Sequence, residues 1–327
     1  MERLEPAQMA DQGLKPENGA RASRVSVIIP VYNGARTVPR ALASVFAQTF
    51  TNYEVVAVND GSTDDTATVL AGYGDRIRVI SQPNRGLSAA RNAGVRSSTG
   101  EYIAFLDDDD EWMPAKLARC VPVLDADPEC ALVYTLALRV DTQGRTMDPP
   151  IVQPDGAESP TMKELLAHPW NVVPSQFMVP REVFERCGGF HERFVTSCED
   201  LYFLLNAREH GHFRCVPEPL LRKETRPLYP KALEREPECD LFVELVRGRY
   251  GSSADGLIDG FRRSRVKVLR HLGRVLIGEG RPDDARRCLA RVIHYQPASP
   301  KAYRRYLRTF LPMRATRRTS NTEDNEA

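Results

Sequence analysis

Four consecutive aspartates, Asp107-Asp108-Asp109-Asp110, followed at once by Glu111, are the densest concentration of chemistry in this sequence. Like charges about 4 Å apart repel even in water, so such a run calls for a counter-cation. An all-oxygen donor set suits Mg²⁺ or Mn²⁺, ions that take one or two carboxylates together with substrate phosphates. The other use of these acids is to cap the helix expected near Trp112-Met113-Pro114, for which a single aspartate suffices. Two further acidic points stand apart: Asp60 within Asn59-Asp60-Gly61-Ser62, and the pair Glu199-Asp200. At the start of a helix the dipole favours the ionised carboxylate, which keeps a base available.

These residues need elements to position them, and the hydrophobic pattern supplies those. Val25 to Ile29 is a short β-branched run ended by Pro30, a buried strand leaving into a loop. After Asn33-Gly34, the positions Val38, Leu42, Val45 and Phe46 recur at helical spacing, with Thr37 as N-cap and Pro39 in the first turn. The alternation repeats: strands over 54–58, 77–81 and 102–106, helices over 63–71 and 87–96. Strands separated by helices give a parallel, Rossmann-like α/β sheet, and such sheets bind ligands beyond the carboxyl ends of their strands. The loops after the first, second and fourth strands, which carry Tyr32, Asp60 and Asp107 to Asp110, are therefore expected to meet on one edge. No G-x-G-x-x-G follows the first strand, so a dehydrogenase fingerprint is missing where it would have to be.

Beyond Asp127 the pattern is less regular, with strands expected over 131–138 and 175–179, a Pro-rich loop over 149–160, a Gly188-Gly189-Phe190 turn, and a helix from Glu199 to His210 ending at Gly211. From about Leu233 the pattern is helical throughout. There Leu269, Leu272, Gly273, Gly280, Ala285, Leu289 and Pro297 fit a tetratricopeptide helix pair of about 34 residues, one repeat and a fraction.

Composition bounds the function. The 327 residues are 42% hydrophobic and 27% charged, an ordinary soluble composition that excludes collagen-like and disordered classes. The longest apolar stretch, Cys130 to Leu138, is far short of the roughly 20 residues of a membrane span. Residues 1–24 lack an apolar core and read as a flexible leader, which makes the cytoplasm the expected location. Seven scattered cysteines without C-x-x-C spacing indicate neither a disulfide framework nor a zinc site. The 45 basic and 44 acidic residues nearly cancel, yet from Phe261 to Arg318 there are 17 Lys/Arg against Glu279, Asp283 and Asp284, a local excess of +14. A basic, amphipathic tail of this kind suits peripheral contact with an anionic membrane, binding of an anionic partner or acceptor, or packing against the acidic remainder of the chain.

Taken as a set, Val27-Ile28-Ile29-Pro30-Val31-Tyr32-Asn33, Gln48-Thr49-Phe50, Val58 to Asp64, Asn84 to Asn92, Phe105 to Trp112, Gly188-Gly189-Phe190 and Glu199-Asp200 resemble glycosyltransferase family 2 with the GT-A fold, over roughly residues 25 to 222. The resemblance implies that Pro30 and Tyr32 line a base pocket and that Asp60 accepts from the nucleobase. It also implies that Asp107, Asp108 and Asp109 form the D-x-D region, Asp107 and Asp109 touching ribose and holding Mn²⁺ or Mg²⁺ on the diphosphate, with Arg91 facing ribose or diphosphate. Asp200, with Glu199, would serve as general base. One departure is the missing histidine after the acidic-pair helix, near Leu220 to Arg226, where Arg222, Lys223 and Arg226 could supply positive charge instead.

The implied organisation is a GT-A domain over 25–228, with a nucleotide-binding half over 25–126 and an acceptor half over 127–228, then a helical extension over 229–312 and a flexible tail over 313–327. The implied activity is inverting, metal-dependent transfer from a nucleotide sugar, UDP-linked, to a saccharide or lipid-linked acceptor hydroxyl, with no nucleic-acid partner, in cell-surface polysaccharide or glycoconjugate synthesis. A nucleotidyltransferase would share the pocket and metal, and a non-catalytic scaffold would present the helical tail. The joint presence of Asp60, Asp109 and Asp200 speaks against the scaffold.

Overall fold

The computed structural model describes residues 23–141, 143–147, 161, 164, 172–224 and 231–310. The leader up to residue 22, most of the loop region between Met147 and Pro174 with His168, Arg226, and the tail from residue 311 lie outside the described residues.

The first half follows the expected alternation. Strand β1 (Val25–Val31) is followed by α1 (Val38–Phe46), β2 (Tyr53–Asp60), α2 (Thr66–Ala71), β3 (Arg78–Gln82), α3 (Leu87–Arg96) and β4 (Tyr102–Phe105). Pairing is parallel for β1 with β2, β1 with β4 and β2 with β3. Pro30 sits inside β1, although proline lacks the ladder N–H. The Ile28 carbonyl accepts from Leu106, so alternate residues of β1 turn their backbone polar groups towards β4. Pro30 falls on that side just past the last paired position, Ile28 with Phe105, where no N–H is needed.

The second half is built differently. A two-residue β5 (Glu111–Trp112) precedes α4 (Lys116–Ala126), β6 (Cys130–Val140), β7 (Phe177–Pro180), α5 (Arg181–Arg186), α6 (Glu199–Ala207) and β8 (His212–Glu224). The sheet is mixed, in the order β3-β2-β1-β4-β7-β6-β8-β5: β7 is antiparallel to β4 and β6, β8 is parallel to β6, and β5 is antiparallel to β8. The 13-residue β8 had no clear strand signature because Pro217 and Pro219 interrupt it, and the β6–β8 register shifts where they lie, between Thr135/Val216 and Leu136/Pro219. The aspartates do not cap a helix. Residues 111–112 are strand, and α4 begins later with Ala115 at its N-cap. Helix α6 also ends at Ala207, three residues before the expected His210.

The C-terminal region is helical: α7 (Lys231–Glu234), α8 (Glu236–Tyr250), α9 (Asp255–Gly278), α10 (Pro282–Tyr295) and α11 (Pro300–Arg308). Its first part belongs to the main core. Phe242 of α8 and Phe261 of α9, with ring centroids 4.5 Å apart, are buried in the same cluster as Phe105, Phe177, Phe190 and Phe203. The rest of α9 with α10 and α11 encloses a separate cluster containing Leu269, Leu272, Ala285 and Ala302. A Cβ on Gly273 would come within 3.2 Å of Leu289, so this glycine allows α9 and α10 to approach closely. No described helix is long and apolar enough to cross a membrane.

Because α8 shares the sheet's aromatic core, Phe242→Ala is expected to destabilise the whole chain by about 3–5 kcal/mol. Urea unfolding followed by tryptophan fluorescence and by circular dichroism should shift together to lower midpoint; a displaced transition in only one probe would show that the helices unfold independently.

Candidate active site

The loops after β1, β2 and β4 do meet on one edge. Asn33 donates its N–H to Ser62 Oγ at 3.0 Å and accepts from the Thr63 N–H at 2.8 Å, while the Thr37 hydroxyl donates to Asp108 at 3.0 Å. Thr37 is the N-cap residue of α1, but it makes no side-chain cap; its hydroxyl ties the aspartate loop to β1's loop instead. Tyr32 is half exposed at the end of β1, whereas Pro30 is buried within the strand. Asp60, also buried, accepts from Gln82 Nε2 and the backbone N–H groups of Arg85 and Gly86 at 2.8–2.9 Å. Those three bonds leave about one of its roughly four acceptor sites.

Arg91 is the centre of the site. Its side chain is 1% exposed, and it donates through Nη2 to Asp107 at 2.6 Å and through Nη1 to Glu199 at 2.8 Å. Arg91 therefore does not present an open cation to the cleft; it bridges the aspartate loop to the acidic pair. Burial opposes its charge, but Asp107 and Glu199 overcome that and raise its pKa. Burial likewise works against the Asp107 carboxylate, and Arg91 and Lys223 more than compensate, holding its pKa below the usual value.

The carboxylates of Asp107, Asp109 and Asp110 offer ligand atoms within 4.8 Å of one another. Asp110, the most buried of the four, was not among the expected ligands. Burial pushes its pKa up to about 6, helped by Asp107 and Asp109 and opposed by Lys223. Lys223 Nζ lies 2.9 Å from Asp110 and 3.6 Å from Asp107. The pairing of β5 with β8, Glu111 opposite Arg222, brings Lys223 there, and the Glu224 N–H donates to the other oxygen of Asp110. Arg40 donates to the Asp109 carbonyl and to Glu224, and pairs with Glu111. Of the cations expected to replace the missing histidine, Lys223 reaches the cluster, and Arg222 turns away to the Gly144 carbonyl.

The acidic pair is separated by its surroundings. Glu199 is buried against Arg91, while Asp200 is partly exposed and accepts from the Leu201 N–H. Desolvation, then the neighbouring charge of Glu199, raise the Asp200 pKa to about 7. The loop before the pair is held from two sides. From α3, Asn92 exchanges hydrogen bonds with the N–H and carbonyl of Phe190, and Ser88 donates to the Phe194 carbonyl. Gly189 there has φ +70° and an added Cβ would sit 2.7 Å from Asn92 Oδ1. From α8, Glu238 accepts from the N–H groups of Thr196 and Ser197, and Cys239 Sγ lies 3.8 Å from Cys198 Sγ. Cys198, directly before Glu199, is left-handed at φ 65°, an uncommon conformation for a residue other than glycine. Ser88, Asn92 and Glu238 are the supporting residues that sequence reading passed over. Asn92 and Ser88 lay within the recognised motif, but nothing local marked Glu238.

Residues 26–188 match the sequence profile described as Glycosyl transferase family 2. An uncharacterized glycosyltransferase of Rickettsia prowazekii is 33% identical over 184 residues, 55% of this chain and 57% of that protein. The chain spans about half the length of the curated relatives it matches, from 32% to 57% in five of them. Among solved structures, Staphylococcus aureus TarS residues 1–349 in complex with UDP-GlcNAc aligns with a TM-score of 0.64 at 17% identity, covering 88% of this chain and 89% of that one. The mannosyltransferase PcManGT of Pyrobaculum calidifontis, with GDP-Man and Mn²⁺, aligns at 0.54 and 21%, covering 89% and 81%. At these identities the likeness is one of fold.

Removing the Arg91 charge takes from the buried Glu199 the cation it pairs with and leaves Asp107 with Lys223 at 3.6 Å, so Arg91→Met should cost about 3–5 kcal/mol at neutral pH. Arg91 lowers the folded-state pKa of Asp107, so its contribution is present above the ordinary carboxylate pKa and fades as pH falls through the lowered one. The gap between wild type and variant in denaturant titrations should therefore narrow on acidification; a gap independent of pH would show that packing, not charge, sets the effect.

Proposed function

Since residues 26–188 belong to glycosyl transferase family 2, we propose that this chain transfers a sugar, with inversion, from a UDP-linked donor to a hydroxyl of a saccharide or lipid-linked acceptor, using Mn²⁺ or Mg²⁺, in polysaccharide or glycoconjugate synthesis. The observation that carries the reading is the Arg91 bridge: it ties the aspartate cluster to the acidic pair, so a donor's diphosphate and an acceptor's hydroxyl would be handled side by side.

The donor set fits a divalent ion. Asp107, Asp109 and Asp110 carry more negative charge than Lys223 and Arg91, the latter shared with Glu199, can offset, and a divalent ion would neutralise the remainder. Asp107 and Asp109, with Asp110 beside them, would hold it, and when bound it supplies Lewis-acid stabilisation of charge on the leaving diphosphate. Lys223 adds a second positive charge at the same place, in the role left by the missing histidine. Tyr32 offers an exposed ring for the base, and Asp60 keeps one acceptor site for a base N–H, with Pro30 buried in β1. Asp108, turned towards Thr37, fixes the loop on the ribose side.

Asp200 takes the proton from the acceptor hydroxyl as its oxygen attacks the anomeric carbon from the face opposite the diphosphate. A single displacement inverts that centre. Glu199 works through Arg91: it holds the guanidinium that in turn orients Asp107, and its charge keeps Asp200 basic.

A hydrolysis screen of nucleotide sugars with Mn²⁺ or Mg²⁺ tests the class directly, and turnover of none, with or without metal, would remove the proposal. In calorimetry Asp109→Asn should weaken UDP binding in Mn²⁺ while sparing uridine, since the base pocket is untouched; equal metal dependence in variant and wild type would take Asp109 out of the site. Asp200→Asn should keep UDP affinity within a few-fold and lower transfer by roughly 10²- to 10⁴-fold. With a pKa of about 7, Asp200 is mostly ionised only above neutrality, so kcat/KM should fall on the acid side of pH 7. Glu199→Gln removes the like charge beside Asp200 and should move that limb to lower pH. A limb unmoved by Glu199→Gln and still present in Asp200→Asn would assign the base elsewhere.

A further inference from the structure

The +14 excess between Phe261 and Arg318 is not evenly spread over the helices. On α9 and α10, Arg265 and Arg291 pair with the buried Glu236, Arg291 also with Asp240, and Arg281, Arg286 and Arg287 with Asp283 or Asp284. Among the described residues, Lys301, Arg304, Arg305 and Arg308 of α11 have no acidic partner. Arg262, Arg263, Lys267, Arg270 and Arg274 of α9 likewise have no acidic partner among the described residues, and α11 is the one of these two helices that carries no acid of its own.

That helix also carries an apolar stripe facing out. Ala302 and Thr309, 1% and 4% exposed, mark its packed side, whereas Tyr303, Leu307 and Phe310 are 43%, 63% and 57% exposed. At about 3.6 residues per turn, the spacing 303, 307, 310 places these three within about 60° of arc, and 301, 304, 308 form a neighbouring stripe of similar width. Arg286 of α10, paired with Asp283, lies over the Phe310 ring at 4.6 Å. The outer face is thus split lengthwise into apolar and cationic halves.

We propose that this face of α11 docks on an anionic lipid bilayer, with Tyr303, Leu307 and Phe310 entering the boundary between headgroups and acyl chains and Lys301, Arg304 and Arg308 lying against lipid phosphates. A polyanion such as nucleic acid would reward the cations and leave the apolar stripe in water. A bilayer is layered as this helix is, phosphate outside and hydrocarbon beneath, and long basic side chains reach outward while their stems stay buried. The proposal is independent of which sugar, or which reaction, the active site serves.

Flotation of the full chain with vesicles tests it. The protein should float with phosphatidylglycerol/phosphatidylcholine vesicles at low salt, not with phosphatidylcholine alone, and be released as salt rises. Leu307→Ser with Phe310→Ser leaves the charge unchanged and should lower the bound fraction about five-fold or more. Arg304→Gln with Arg308→Gln should weaken binding and flatten its salt dependence. Both pairs are exposed, so thermal melts should match wild type. Absence of binding to anionic vesicles at low salt overturns the proposal, and so does binding that ignores Leu307 and Phe310, which would be adhesion by charge alone.

Discussion

The buried guanidinium of Arg91 is the constraint on which the rest of the site depends. A charge 1% exposed is costly unless it is paired and hydrogen-bonded, and its two partners come from different halves of the chain, Asp107 after β4 and Glu199 at the start of α6. Arg91 is satisfied only when α3, the aspartate loop and the acidic-pair helix have all arrived. The interaction that neutralises this charge thus also fixes the separation of the two acidic groups. The carboxylate that stays out of the bridge, Asp200, is left with a raised pKa beside a like charge, the condition a general base needs.

The bridge needs a stiff support, because the 188–198 segment is irregular and contains a left-handed cysteine. Support comes from α3 through Ser88 and Asn92, and from α8 through Glu238. The C-terminal helices consequently divide into two parts with different work. Helix α8 and the start of α9 brace the acidic pair and complete the aromatic core, while the remainder of α9 with α10 and α11 packs around its own cluster and displays the unpaired basic face.

At the aspartates, repulsion is managed from below. Lys223 and Arg40, on β8 and α1, reach the loop from elements that the sheet sets on either side of it. Two prolines in β8 prevent regular pairing along that strand, and the register shifts around them, yet the two residues of β5 re-establish the ladder just where Lys223 must face Asp110.

By itself the sequence determined the first half of the sheet. Periodicity placed β1 to β4 and α1 to α3 within a few residues, since buried β-branched runs and 3.6-residue spacing are local properties, and the motifs put Asp60, Asp107 to Asp110 and Glu199-Asp200 at element ends. The tertiary structure decided what those groups face. That Arg91 is a buried bridge to Glu199, that Asp60 accepts from Gln82, and that Lys223 neutralises the cluster of Asp107, Asp109 and Asp110 follow from contacts between residues 22 to 116 positions apart. β8 was hidden for the same reason: its prolines lie where β8 itself bulges, Val216 to Pro219 spanning a single step of β6. Local sequence records what a residue can do, but burial and charge pairing are properties of neighbours brought together by folding, and these decide which carboxylate is bridged, which faces the cation and which stays outside the bridge.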